Sequence, residues 1–408
     1  MDKKAGMTPE PAGGHPPDDH PARWRILGIL ALAELLGMSL WFAGTAAAPE
    51  LTARWHLTSS EVGWLATAVQ IGFVAGTAIS AVLNLADVVP ARLLFALSAT
   101  AGALANGGLA LSDSFGGALV SRFLAGACLA GVYPPAMKMA ATWFRERRGL
   151  AVGTVVGALT VGKAGPYLLA AWPGADVGFI TAAASLSALA AGIIIWAGYR
   201  DGPYPFPPRP FSWSLVSDVV RLRRWRLATG GYLGHMAELY SYWAWIPAFV
   251  AASLAAQDPT AAKSPEAFLL AFGIIAVGGA GCIWGGLVAD RIGRERLVTI
   301  AMAISGSCAL LVGLTFGRSL WLLAPVALAW GFFVIADSAQ FSVLVAESVP
   351  PHAAGTAITL QTSLGFLLTT LTIQLVPLLV DRFGWPWAFP VLAVGPALGI
   401  WAIRRLAG

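Results

Sequence analysis

Two apolar stretches of this chain each contain a glutamate followed seven residues later by a tryptophan. AELLGMSLW holds Glu34 and Trp41, and AELYSYWAW holds Glu238 and Trp245. The offset is 204 residues, half of the 408-residue length. A charged side chain at the centre of a membrane helix costs about 2.5–3.5 kcal/mol to insert. Such residues are tolerated where they face a partner or a water-filled cavity. Desolvation disfavours the charged form of a carboxyl, so a buried one can exchange protons near neutral pH, as a proton-coupled carrier requires.

Other side chains extend this chemistry. Asp337 is a third carboxylate within an apolar stretch, and Arg122, Lys138 and Lys163 are cations within others. His235, Glu238, Tyr242 and Trp245 follow the i, i+3, i+7, i+10 spacing of one helical face. Glu34, Gly37, Met38 and Trp41 form the matching face of the first copy. Together they predict an aromatic cavity with a titratable floor, Glu34 and Glu238 facing each other across it. Glu34, Glu238, Asp337 and Arg122 are the candidates for proton coupling. Lys163, Lys138, His235, Tyr240, Tyr242, Trp41, Trp245, Gln70 and Gln361 are the candidates for binding a substrate. Blander readings stand beside these. The glutamates could form fixed ion pairs with Lys163 or Lys138, the tryptophans could belong to an interfacial belt, His235 could be a packed core histidine, and Lys138 could snorkel to the surface.

The elements that must position these residues are membrane helices. The chain is 57% hydrophobic and only 12% charged, against about 25% charged in a soluble domain. Apolar runs of about 20 residues, long enough to cross a bilayer, recur along it. They predict an all-α membrane protein with twelve segments near 24–48, 59–83, 91–112, 116–143, 149–171, 175–199, 226–253, 267–289, 296–316, 319–345, 354–380 and 386–403. The expected organisation is a disordered tail (1–22), a six-helix bundle (23–199), a cytoplasmic linker rich in proline and arginine (200–225) and a second bundle (226–408). The tail lacks the apolar core of a signal peptide. The alternating pattern of an outer-membrane barrel is missing. At about 15–18 Å from their helix starts, Glu34 and Glu238 are expected near the bilayer midplane.

The charges fix the expected topology. With the N-terminus inside, 19 of the 26 lysines and arginines fall in cytoplasmic breaks and four (Arg54, Lys263, Arg318 and Arg382) outside. That bias puts both termini in the cytoplasm. It also accounts for the net charge of +5 without nucleic acid as a partner. Cys128, Cys282 and Cys308 all lie in apolar runs, so neither a disulfide framework nor a metal site is expected. No phosphate-binding loop or nucleophile elbow is evident, which argues against an enzyme, an ATP-driven pump and any cofactor.

A second echo supports an internal duplication. NLADVVPAR (84–92) and GLVADRIGR (286–294) place Asp87 and Asp290 203 residues apart. Two copies of six helices enter the membrane the same way round, which predicts parallel repeats with a site between them. GLVADRIGRER (286–296) resembles the loop signature of the major facilitator superfamily through Gly286, Asp290, Arg291, Gly293, Arg294 and Arg296. The first copy keeps only Asp87 and Arg92, with Leu83, Val88 and Pro90 at the other positions. SRFLAGACLAG (121–131) resembles the family's Arg-x-x-x-Gly pattern at Arg122 and Gly126. GTVVGALTVGKAGP (153–166) is similar to its antiporter pattern but one residue short between Gly162 and Gly165.

The resemblance implies the major facilitator fold, two pseudo-symmetric six-helix bundles whose segments 1, 4, 7 and 10 line a central cavity. Glu34, Arg122, Lys138, Glu238 and Asp337 fall on that set. It implies a proton role for Arg122 and a cytoplasmic latch for the Asp-Arg loop. YPPAMKMAATWFRERRGLAVG (133–153) also resembles small-anion porters of the nitrate and cyanate groups. Nitrate porters, however, carry arginines in segments 2 and 8 and Asn-Gly-rich signatures in segments 5 and 11, which are missing here. The expected function is a proton-coupled secondary transporter of a small organic anion or polar metabolite, working as a monomer in the bacterial inner membrane. A proton-driven exporter of amphipathic or cationic compounds is the alternative.

Overall fold

The structure is a computed structural model that describes residues 20–144, 147–204 and 212–407, without the side chains of residues 86, 87 and 148. Most of the expected tail (1–22), the centre of the linker and the Asp87 side chain therefore lie outside the described residues. Every described element is a helix. Ten are long and apolar enough to cross a membrane, and they coincide with expected segments 2–6 and 8–12.

Segments 1 and 7, which carry the two glutamates, depart from that pattern in different ways. Segment 1 is interrupted. It runs as an α-helix over Arg23–Gly37, tightens to a 3-10 turn over Met38–Leu40, and resumes at Ala43–Ala46 and Ala48–Trp55. Segment 7 is one 33-residue helix, Arg223–Ala255, less apolar because it carries arginines at its start and His235, Glu238 and three tyrosines within. It begins inside the expected linker, which also contains the short amphipathic helix Trp213–Arg221.

Two further segments are broken where their residues dictate. Segment 4 divides into Phe115–Leu129 and Tyr133–Ala141, the second starting with two prolines suited to a helix's first turn. Segment 10 divides at Asp337 into Leu320–Ala336 and Ser338–Glu347. Discontinuous helices expose backbone groups inside a membrane protein, and such groups need partners from neighbouring elements.

Segment 5 (Arg148–Ala170) packs along segment 8 (Pro265–Ile292), and segment 2 (Ser59–Val82) along segment 11 (Ala354–Phe383). These pairings join the two expected bundles. The first seam is built from small residues. A Cβ added to Gly157 would stand 2.9 Å from the Gly279 carbonyl, and one on Gly153 would stand 3.0 Å from that of Cys282. Only glycine permits this approach. The seam is tight in the half of segment 5 nearest the linker. The second seam is polar at the opposite, far end. There Ser60 donates to Gln374 at 3.1 Å, Gln374 donates to Thr67 at 3.2 Å, and Ser59 donates to Asp381 at 3.2 Å.

Candidate functional site

Lys163 stands where the bundles meet. Its side chain is 1% exposed, and its ammonium donates to the Tyr240 hydroxyl at 2.6 Å. The same nitrogen lies 3.9 Å from the centre of the Trp41 ring and 4.6 Å from those of Tyr240 and Trp243. An aromatic face attracts a desolvated cation by about 2 kcal/mol. Segment 1 thus supplies one wall of the cage and segment 7 the others. Phe73 and Phe366 extend it, with ring centres 4.5 Å apart and each stacked on Trp41. The result is a continuous aromatic layer across the middle of the molecule.

Glu34 is completely buried, and Lys163 is the cation whose field reaches it. Among the described residues neither Glu34 oxygen has a hydrogen-bond partner, and the same holds for both amide atoms of Gln70 and Gln361. Buried polar atoms are normally satisfied, which sets these three side chains apart from their neighbours. Gly162 lets segment 5 come close to Glu34's helix, because a Cβ there would collide with the Leu35 carbonyl.

Arg122 closes the interruption of segment 1. It is fully buried, and its guanidinium donates to the Leu40 carbonyl at 2.5 Å, the Trp41 carbonyl at 2.9 Å and Asn106 Oδ1 at 2.6 Å. The two carbonyls are among those freed by the break, so the arginine replaces lost helical bonds and fixes the backbone of Trp41. Ser39 helps by donating to the Leu36 and Ala184 carbonyls. Gly126, one turn along, lets segment 4 touch the backbone of Val69.

The structure does not place Glu34 and Glu238 across one cavity. Glu238 points into the second bundle, where it accepts from Ser305 Oγ and Trp330 Nε1, each at 2.8 Å. Tyr242 likewise donates to the Ile274 and Ala327 carbonyls. His235 approaches Asp337 at 3.0 Å, Nδ1 to Oδ1. His235, Glu238 and Tyr242 of the expected stripe thus share a real face of segment 7, turned towards segments 8–10. The opposite face, with Tyr240 and Trp243, meets the first bundle. Trp245 donates to the Ile373 carbonyl at 2.8 Å, so its indole nitrogen serves segment 11.

Two cavities flank the aromatic layer. At the far end one of about 310 Å³ is lined mostly by apolar residues, among them Ala46, Leu57, Tyr167, Trp245, Phe268 and Trp385. Towards the linker a chamber of about 40 Å³, room for a water, is bordered by the hydroxyl-bearing residues Tyr133, Tyr232, Tyr240, Ser338, Ser342 and Thr362. Lys138 is half-buried on the Tyr133–Ala141 helix.

In the loop motif, Gly286 packs against the Gly149 backbone, and Gly293 has a φ of +90° that favours glycine. Asp290 is exposed beside Gly149, near the N-terminus of segment 5, where a carboxylate is favoured by the helix dipole. Arg294 pairs with Glu347 at 3.2 Å. Arg291 is exposed, and Arg92 lies 5.4 Å from the ring of Trp196.

Sequence reasoning missed Trp243, Phe73, Phe366, Ser305, Trp330 and Asn106. Trp243 shares a face with Tyr240 by i, i+3 spacing, a signal that was available. The others are ordinary residues made relevant only by tertiary contact.

Comparison with known proteins places this architecture among transporters. The Major Facilitator Superfamily profile matches residues 29–373. Over 132 residues, 32% of this chain, the sequence is 28% identical to a galacturonate transporter of Dickeya chrysanthemi. Over the same length it is 26% identical to a hexuronate transporter of Escherichia coli strain K12. The match spans 38% of the first relative and 30% of the second. In fold, the chain is similar to a bacterial homologue of the human lysosomal transporter Spinster, with TM-score 0.67, 15% identity, and 95% of this chain and 94% of that one covered. It is also similar to the nucleoside transporter NupG, with TM-score 0.72, 14% identity, and 94% and 100% covered.

Proposed function

The chain belongs to the major facilitator superfamily, and from that premise we propose that it carries a small organic anion together with a proton by alternating access. Two six-helix bundles, 23–199 and 226–408, rock about the aromatic layer, with twelve spans and both termini in the cytoplasm of a bacterial inner membrane. The protein works as a monomer. The observation that carries this reading is the Lys163 ammonium, buried between the bundles and held by a neutral phenol and three aromatic faces.

In the empty carrier Glu34 balances the charge of Lys163. An incoming carboxylate draws the ammonium out of its cage, and a charge-assisted hydrogen bond replaces the aromatic contacts. Glu34 then takes up a proton, so the loaded site keeps the net charge of the empty one and crosses the membrane at no added electrostatic cost. The chamber beside the cage carries six hydroxyl groups among apolar neighbours, and Gln70 and Gln361 lack hydrogen-bond partners among the described residues, which suits a substrate with several hydroxyls. A sugar acid has that chemistry, and the galacturonate and hexuronate transporters similar to this chain support the choice.

The apolar far-end cavity favours a second reading, export of amphipathic compounds. A fixed cation at the centre opposes a cationic cargo. A thermal-shift panel of purified protein separates the two. Sugar acids such as galacturonate are expected to stabilise the wild type but not Lys163→Met. Stabilisation by lipophilic cations alone would contradict the anion reading.

A further inference from the structure

The start of segment 7 reads RLRRWR (221–226), four arginines in six residues. Arg221 ends the linker helix Trp213–Arg221, and the extended Leu222 turns the chain into segment 7 at Arg223. Trp225 is the fixed point of this corner. It is 3% exposed, and its indole donates to the Ala357 carbonyl of segment 11 at 3.3 Å. With the tryptophan turned inward, Arg221, Arg223, Arg224 and Arg226 all stand exposed. Segment 12 brings two more cations. A Cβ added to Gly230, one turn beyond Arg226, would stand 3.4 Å from that of Ala402. Arg404 and Arg405 follow Ala402 towards the linker end, and both are exposed. Among the described residues none of the six has a carboxylate within salt-bridge reach. Asp218 is exposed one turn before Arg221, and the first turn of segment 7 holds no acid.

Six arginines at one corner exceed what topology asks for. The matching corner of the first bundle, where segment 1 packs along segment 6, carries Arg23, Arg25 and Arg200 beside Asp201. A positive-inside bias treats the two corners alike. Apolar groups accompany the excess charge. Val219 is buried where the linker helix packs on segments 7 and 11, while Trp213 and Val220, seven residues apart on another face, are exposed. Trp401 is exposed on segment 12, and Arg405 lies 4.6 Å from its ring centre. Exposed indoles favour the headgroup level of a bilayer, which puts these arginines at the depth of lipid phosphates. We propose that this corner binds anionic phospholipids of the leaflet on the linker side. The guanidinium groups hold the phosphates through paired hydrogen bonds, and Trp213, Val220 and Trp401 meet the acyl chains. The lipid neutralises six mutually repelling charges and holds the linker helix flat on the membrane. A soluble phosphate offers the charge without the apolar part. The site depends on the chain spanning a membrane and is independent of what the carrier moves.

Native mass spectrometry of the purified full chain tests this, with phosphatidylglycerol and phosphatidylcholine of equal chain length titrated into detergent. One arginine at an anionic headgroup contributes about fivefold in affinity. The wild type is expected to prefer phosphatidylglycerol by about tenfold or more. R221Q/R223Q/R224Q is expected to lose that preference, and R221K/R223K/R224K, which keeps the charge, to recover most of it. R25Q/R200Q, at the first-bundle corner, is expected to bind like the wild type. If the triple variants do not fold, R221Q and R224Q alone should each lose about fivefold. Equal binding of the two lipids by the wild type overturns the site. So does an equal loss in R25Q/R200Q, or a lysine variant that binds no better than the glutamine one. Glycerol 3-phosphate is expected not to displace the bound lipid. Displacement would mean that the corner takes a soluble phosphate, and would overturn the lipid assignment.

Discussion

The Lys163 ammonium lies 3.9 Å from the centre of the Trp41 ring. That contact links a charged group on one continuous helix to the break in another. Because the lysine's remaining partners come from segment 7, any movement between bundles must remake its surroundings. Lys163→Met is expected to weaken galacturonate binding about tenfold to hundredfold, the loss of one hydrogen bond to a charged group. Lys163→Arg should not restore it, because a planar guanidinium does not match a cage built round a compact ammonium. Calorimetric titration of purified protein checks both.

Arg122 is predicted to act through segment 1. Arg122→Leu leaves the Leu40 and Trp41 carbonyls and Asn106 Oδ1 without their donor. The expected cost is about 3–5 kcal/mol, as for a broken buried polar network, visible as a lower unfolding temperature in detergent. Arg122→Lys should recover part of it. If the arginine instead served only as a proton relay, Arg122→Leu would lose pH-driven transport at unchanged stability.

The two glutamates should respond differently to the same substitution. Glu238→Gln keeps one acceptor where Ser305 and Trp330 need two, and is expected to cost about 1–3 kcal/mol of stability. Glu34→Gln, at a carboxyl with no hydrogen-bond partner among the described residues, should cost less than Glu238→Gln, the charge balance with Lys163 being what it removes. Equal losses of stability would show that Glu34 is also a structural acceptor.

Gly157→Val is expected to pry segment 5 from segment 8, because its Cβ alone would stand 2.9 Å from the Gly279 carbonyl. Overpacking of this kind costs about 1–3 kcal/mol. The strain falls on the state in which the seam is closed, so the linker end should open more often. A cysteine placed at Ser342 should then react faster with a soluble maleimide than in the parent protein. An unchanged rate would mean that the seam does not control access.

Much of the fold was legible in the sequence because membrane helices announce themselves by length and apolarity. The boundaries 59–83 and 91–112, for example, fall within two residues of Ser59–Val82 and Ala91–Ala110. The break in segment 1 was not legible, since no proline marks 38–42 and the capping arginine lies 81 residues beyond Trp41. Burial of Glu34, Glu238, Lys163 and Asp337 followed from their place in apolar runs. Their grouping did not. Helical spacing put His235, Glu238 and Tyr242 on one face, but periodicity cannot tell which neighbour that face meets. The tertiary arrangement turned it into the second bundle and left Tyr240 and Trp243 to form the cage.

The central claim is that an organic anion and a proton share the Lys163–Glu34 site. The most direct test is steady accumulation of galacturonate in proteoliposomes under an imposed pH gradient, alongside counterflow at equal pH. The wild type should accumulate the anion against its gradient. Glu34→Gln should keep counterflow while accumulation falls by about tenfold per pH unit, and Lys163→Met should lose both. Accumulation at the wild-type level in Glu34→Gln and Lys163→Met would contradict the account.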